Sequence, residues 1–245
     1  MKQKLAILNE ISLNDYILVF KYYMKNARCA HVTGFVNAPL LYAKPTDAEL
    51  EQLVNDAQKH GILIKDGNNT TINEVVLTFI NAWAHSPSVV GIKKASFSDK
   101  KAIFFARVEG QYLATFQDVS RDKITLVADD DLDAIYDYFQ KEIEKKDIDR
   151  SFKLKNVNKS FKENGSDVSL EVTPINRIFL QTLDNGTGRK LPVDELIHVG
   201  KKELEEIKLD ENQKVSGLER KDSSELKNVI ESYINRNLPA GPNRR

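Results

Sequence analysis

Cysteine is almost absent: Cys29 is the single one in 245 residues. No intramolecular disulfide can form, so nothing points to an oxidising compartment. Long apolar runs are missing too. In "MKQKLAILNEISLNDY" the apolar run stops at Leu8, before Asn9 and Glu10. A secretory signal needs roughly 7–15 apolar residues and a membrane span about 20. The expectation is a cytoplasmic protein without direct membrane insertion. Charge of one sign is lacking as well, because 36 basic side chains balance 36 acidic ones. A nucleic-acid binder shows a basic excess or a basic domain, and an acidic solvating role is equally unsupported. No G-x-S-x-G or H-E-x-x-H motif occurs.

What remains is ordinary globular composition, with 41% apolar and 29% charged residues. The length suits one large domain or two small ones and buries a core without metals or disulfides. Ser12 can cap a helix reaching about residue 26, with Leu13, Ile17, Phe20 and Met24 at helical spacing. "AKPTDAELEQLVNDAQKHG" reads as a helix capped by Thr46 with Glu49 and ended by Gly61. "ILIKDGNNTTI" is a small hairpin around Asp66-Gly67-Asn68. Asn73 then caps "EVVLTFINAWAH", which Pro87 stops. This helix–hairpin–helix raises a winged-helix alternative, but its first helix is acidic and would repel phosphate.

Four strands follow: "SVVGIKKASF", "AIFFARV", "QYLATFQ" and "KITLVA". Links this short require antiparallel neighbours, since a parallel return needs a dozen or more residues. The Phe104-Phe105 pair puts one aromatic on each face of the sheet. "DDDLDAIYDYFQKEIEKK" is a helix with acids first and lysines last. Residues 147–169 read as a domain junction or a long hairpin. "TPINRIFLQTLDNG" reads as a helix entered at Thr-Pro and ended at Asn185-Gly186. Residues 190–220 are ambiguous. "SSELKNVIESYINRNL" is a terminal amphipathic helix, and residues 238–245 are expected to be a disordered tail. The fold class is therefore α+β: a central, mainly antiparallel β-sheet flanked by helices. Its expected parts are residues 1–146 and a second α+β part, 147–237, packed on the first.

Candidate chemistry is sparse, and no cofactor is implied. "TLVADDDLD" ends an apolar strand in acids that can bind magnesium, which makes a metal-dependent hydrolase using Asp129, Asp130 and Asp131 one alternative. Helix capping accounts for the same acids. Cys29 and His31 are too few for zinc and too close in sequence to meet as a nucleophilic pair. His60 and His85 stand at helix ends, placed for C-terminal carbonyls. Gly186, Gly188 and Lys190 lack Walker spacing.

Residues 12–146 resemble the EspG-type and EsaE-like chaperones of type VII secretion systems. The likeness lies in the order of "SLNDYILVFKYY", "HVTGF", "AELEQLVNDAQKHGILI", "DGNNTTINEVVLTFINAWAHSPSVVGI", "KKAIFFARVEGQYLATFQ" and "ITLVADDDLDAIYDYF". It implies a pseudo-twofold architecture and a cytosolic, non-enzymatic adaptor of Gram-positive bacteria. Such an adaptor binds a secreted effector or toxin through a helical targeting region and keeps it soluble for export. Tyr112 and Phe116 fall on one strand face, with Phe97 near the adjoining turn. Two roles are open to them: core, or an apolar patch for a partner helix. An immunity protein neutralising a toxin is the alternative from the same class of motif-poor binders.

Overall fold

A computed structural model describes residues 5–24, 46–67, 69–86, 88–94, 101–144, 159–163, 166–170, 177–184, 194–200, 202–212 and 214–238. The first half runs β1 (Ala6–Ser12), α1 (Leu13–Met24), α2 (Asp47–Lys59), β2 (Leu63–Asp66), β3 (Asn69–Ile72) and α3 (Glu74–His85). It continues as β4 (Ser88–Lys94), β5 (Lys101–Val108), β6 (Gln111–Asp118), β7 (Lys123–Asp129) and α4 (Leu132–Glu144). The second half holds β8 (Lys159–Glu163), β9 (Ser166–Leu170), β10 (Arg177–Asp184), β11 (Glu195–Val199), β12 (Glu203–Leu209), β13 (Val215–Asp222) and α5 (Leu226–Asn237).

The expected local signals operate as physical devices. Ser12 Oγ accepts the Asp15 N–H at 3.2 Å and caps α1. Gly61, at φ 70°, closes α2. Its N–H donates to Gln58 O while that of Ile62 donates to Ala57 O, the paired arrangement of a left-handed helix stop. Asn73 Oδ1 accepts the Val75 N–H at 2.9 Å and starts α3. Glu109 (φ 52°) and Gly110 (φ 88°) make a two-residue turn whose twist suits the β5–β6 hairpin.

Nine strands form one sheet in the order β1-β7-β6-β5-β4-β10-β11-β12-β13, with every recorded pairing antiparallel. Apart from the edge strand β1, the order is symmetric about the β4–β10 pair. On each side a four-stranded meander runs outward and is followed by a helix, α4 or α5. Leu132, Ile135, Tyr136 and Phe139 of α4 recur at identical spacing as Leu226, Val229, Ile230 and Tyr233 of α5, and all are buried. Both helices pack on the same face, over Val90, Ile92, Phe105, Val127, Ile178, Leu180, Ile197 and Leu204. On the opposite face α1 and α3 pack over Phe104, Leu113 and Leu126 through Tyr16, Ile17, Phe79, Ile80 and Trp83. The neighbours Phe104 and Phe105 thus enter different cores, as the pleat requires.

Three expectations change. Within the stretch expected to be a helix after Thr-Pro, residues 177–184 are instead β10, a central strand bonded to β4 on one side and β11 on the other. Ile178 and Leu180 alternate with Phe179 and Gln181, a period-two pattern that two-sided strand pairing exploits. Thr-Pro and Asn-Gly punctuate a strand as readily as a helix. Second, Ala6–Ser12 is an edge strand, and the ambiguous 190–220 region supplies three more strands. Third, Leu238, assigned to the tail, is buried; residues 239–245 lie outside the described residues. The expected second part joins the first edge to edge through β4–β10 and shares its core.

Candidate interaction surface

Tyr112 and Phe116 share a face as expected, and that face lies under α4 and α5. Tyr112 is 5% exposed. Its hydroxyl donates to Asn235 Oδ1 of α5, and the Arg107 guanidinium sits 4.5 Å from its ring centroid. Burial pushes the phenol's pKa up against the pull of Arg107, with Asp131 and Glu231 adding to the rise. Tyr112 therefore has the core role. Phe116 stands at the rim of the same core, 6.4 Å from Phe139, whose edge-on neighbour Tyr138 is 5.0 Å away. Phe97 lies outside the described residues.

The acids at 129–131 open α4. Asp129 Oδ1 accepts the Asp131 N–H at 2.9 Å, and Asp131 Oδ1 accepts the Asp133 N–H at 3.1 Å. Burial raises the Asp129 carboxyl, the Asp131 N–H works against the rise, and Asp130 reinforces it. No group of three or more His, Cys, Asp or Glu among the described residues is arranged to hold a metal ion. Cys29, His31, Gly186, Gly188 and Lys190 lie outside the described residues, as does His85's side chain.

One constellation escaped the sequence reading. Ser12, Asp15, His60 and Asp122 converge where α1, α2 and the β6–β7 turn meet. His60 Nδ1–H donates to Asp15 Oδ2 at 2.5 Å, so the ring serves a carboxylate of α1 rather than the α2 carbonyls. Ser12 Oγ donates to Asp122 Oδ2 at 2.8 Å and accepts the Asp15 N–H. The residue types match a hydrolytic triad, but the bonding does not. The serine oxygen is engaged by Asp122 and by its own helix, and the imidazole bonds an aspartate. The cluster is a clamp holding α1 to its neighbours.

The two faces of β10–β13 differ sharply. The face that α5 covers buries Ile178, Leu180, Ile197 and Leu204 and carries ion pairs around them: Arg236 pairs with buried Glu195, Lys221 with Glu206 at 2.5 Å, and Lys208 with Glu219 at 2.8 Å. Burial raises the Glu195 carboxyl and Arg236 opposes it. The Tyr233 hydroxyl donates to Asp194, which also accepts the Thr182 N–H at 2.9 Å. The other face carries an apolar row. Phe179 pairs with Leu196, Leu196 with Ile207, and Ile207 with Leu218. The row thus crosses four strands and ends at the sheet's edge. Leu209 and Val215 extend it, and the Ile207-centred cluster contains strand residues only. Beside it His198 and Arg220 both reach Glu205, at 3.4 and 3.2 Å. The corresponding row of the first half, Gly91–Phe104–Thr115–Leu126, lies beneath α1 and α3.

The lone apolar residues of 194–220 gave no stripe in sequence because they alternate with charges over three short strands. Only the register lines up Leu196, Ile207 and Leu218.

No protein-family model matches this chain, and no curated protein aligns with it significantly. Among the described residues no helix is long and apolar enough to cross a membrane.

Proposed function

We propose that this protein is a cytoplasmic, non-enzymatic chaperone or adaptor that binds a type VII secretion substrate and keeps it soluble for export. The apolar row Phe179–Leu196–Ile207–Leu218 carries the reading: among the described residues its cluster contains strand residues only, with Leu196 and Leu218 partly exposed around a buried Ile207. A partly exposed apolar rim at a sheet edge is a place where a partner can add contacts. The order of elements in 12–146, and the two meander-plus-helix units about β4–β10, agree with the resemblance to EspG-type proteins. The site moves from Tyr112, which is core, to the second half of the sheet.

The test is an affinity capture from the native lysate with the wild type and Leu218→Glu in parallel, read by mass spectrometry. The expected result is a helical secreted protein held by the wild type and lost with L218E. Capture that ignores L218E removes this face as the site. Recovery of a toxin's catalytic domain instead would move the assignment to an immunity protein.

A further inference from the structure

We propose that the His60–Asp15 contact is a pH-sensitive latch, which draws α2 against α1 while the imidazole is charged and slackens as the ring discharges. The latch stands apart from the binding role proposed above. It acts where α1 meets α2, not on the β10–β13 row.

Its parts are an exposed sensor and a buried acceptor. Asp15, in the first turn of α1, is 5% exposed. His60 follows the end of α2, one residue before the left-handed Gly61. Its side chain is 47% exposed, so solvent protons reach it directly. Nδ1 lies 2.5 Å from Asp15 Oδ2. Histidine is the side chain whose ordinary charge change falls between about pH 5 and 8. A neutral ring still donates one N–H, so discharge removes the charge and leaves the bond. A charge-assisted hydrogen bond is roughly twice as strong as a neutral one.

The surroundings make that charge matter. Three carboxylates gather here: Asp15 of α1, Asp56 of α2 and Asp122 of the β6–β7 turn. The charges of Asp56 and Asp122 both act on Asp15. Asp56 is engaged by Lys59 at 3.1 Å and Gln52 at 2.8 Å. Asp122 is engaged by Ser12 Oγ and the Asn14 N–H, each at 2.8 Å. Of the turn's cations, Arg121 reaches Asp118, and Lys123 stands opposite Ser12 in the β1–β7 ladder. Asp15 takes its cation from His60.

Both partners give the same sign. Burial raises the Asp15 carboxyl, and the hydrogen bond and charge of His60 oppose the rise. A carboxyl raised in the folded state contributes stability at low pH that is lost as pH rises through its folded value. A histidine held by a carboxylate likewise loses its contribution on deprotonation. The latch is firm in mild acid and slack in mild alkali.

Hydrogen exchange of the full chain, read by mass spectrometry, tests the latch. Peptides from α4 correct for the pH dependence of the exchange chemistry itself. In the wild type, protection of residues 47–62 relative to 132–144 should fall about fivefold as pH rises from about 5 to 8. His60→Gln keeps a neutral donor and should stay at the low level throughout. His60→Lys, charged across this range, should stay at the high one. Asp15→Asn, which removes the charge from the other side, should also be flat.

Relative protection that ignores pH in the wild type overturns the latch. So does a fall that persists unaltered in His60→Gln and Asp15→Asn, because another group then titrates. If His60→Gln loses protection throughout the chain, His60→Lys still decides: a pH-dependent fall in that variant removes the imidazole as the sensor.

Discussion

The Tyr233 hydroxyl of α5 and the Asp194 carboxylate at the head of β11 are hydrogen-bonded across 39 residues of chain. Thr182 of β10 joins them, its hydroxyl 3.0 Å from the phenol oxygen. The terminal helix is thereby fastened to the second meander at a polar point inside an apolar interface. Around it, Arg236 reaches Glu195, and Ser88 Oγ of β4 donates to Asn237 O at 3.0 Å. α5 thus ties both halves together.

Tyr233→Phe should remove the phenolic donor while keeping the ring. Asp194 Oδ2 keeps the Thr182 N–H as a donor, so the expected loss is about 0.5–1.5 kcal/mol. Urea denaturation of the variant measures it, and an unchanged midpoint would show the bond to be dispensable.

Asp118 sets a pH dependence. Burial raises its carboxyl, but Ser120 Oγ at 2.6 Å, Lys101 at 3.4 Å and the Arg121 N–H at 3.3 Å outweigh that and hold it below its ordinary value. A depressed folded-state value contributes stability that is present above the unfolded value of 3.8 and lost as pH falls through the folded one. Asp118→Asn should cost about 1–3 kcal/mol at neutral pH and flatten the acid limb of the stability curve. Parallel acid titrations followed by circular dichroism would expose a missing difference.

Glu109 holds φ 52° on an exposed turn. A left-handed conformation costs a side chain of this type about 1 kcal/mol, and asparagine tolerates it better. Glu109→Asn creates the Asn-Gly pair favoured in such turns and should stabilise by roughly 0.5–1 kcal/mol. A calorimetric melting temperature that does not rise would count against the turn geometry.

The acids before α4 should behave as caps. Asp131→Ala should destabilise by about 1 kcal/mol, and saturating magnesium should leave the melting temperature of the wild type and the variant unchanged. A magnesium-dependent rise lost in Asp131→Ala would restore the hydrolase alternative.

Much of the first half was legible because its signals are local. Ser12, Gly61, Asn73 and Gly110 act within a few residues of themselves, and the links of the β4–β7 meander are too short for any but antiparallel pairing. β10 was misread because its punctuation suits either element, and its strand character comes from two neighbours distant in the chain. β11 to β13 were opaque for the opposite reason. They are charge-rich, and their glutamates and lysines become a paired layer only when Glu195, Glu206, Lys208, Glu219 and Lys221 meet across the ladder. Tyr112 and Phe116 were correctly set on one face, yet which face a helix from the far end of the chain would cover is not a local property.

By itself the sequence determined the element types of residues 46–144, the antiparallel meander, and an α+β class, because capping, turn geometry and side-chain periodicity act over a few residues. Tertiary structure alone decided that β4 and β10 join two meanders into one sheet, that α5 seals Tyr112 into the core, and that Leu196, Ile207 and Leu218 align into one apolar row. Those outcomes depend on strand register between segments up to a hundred residues apart, and register is settled by which faces can be buried together.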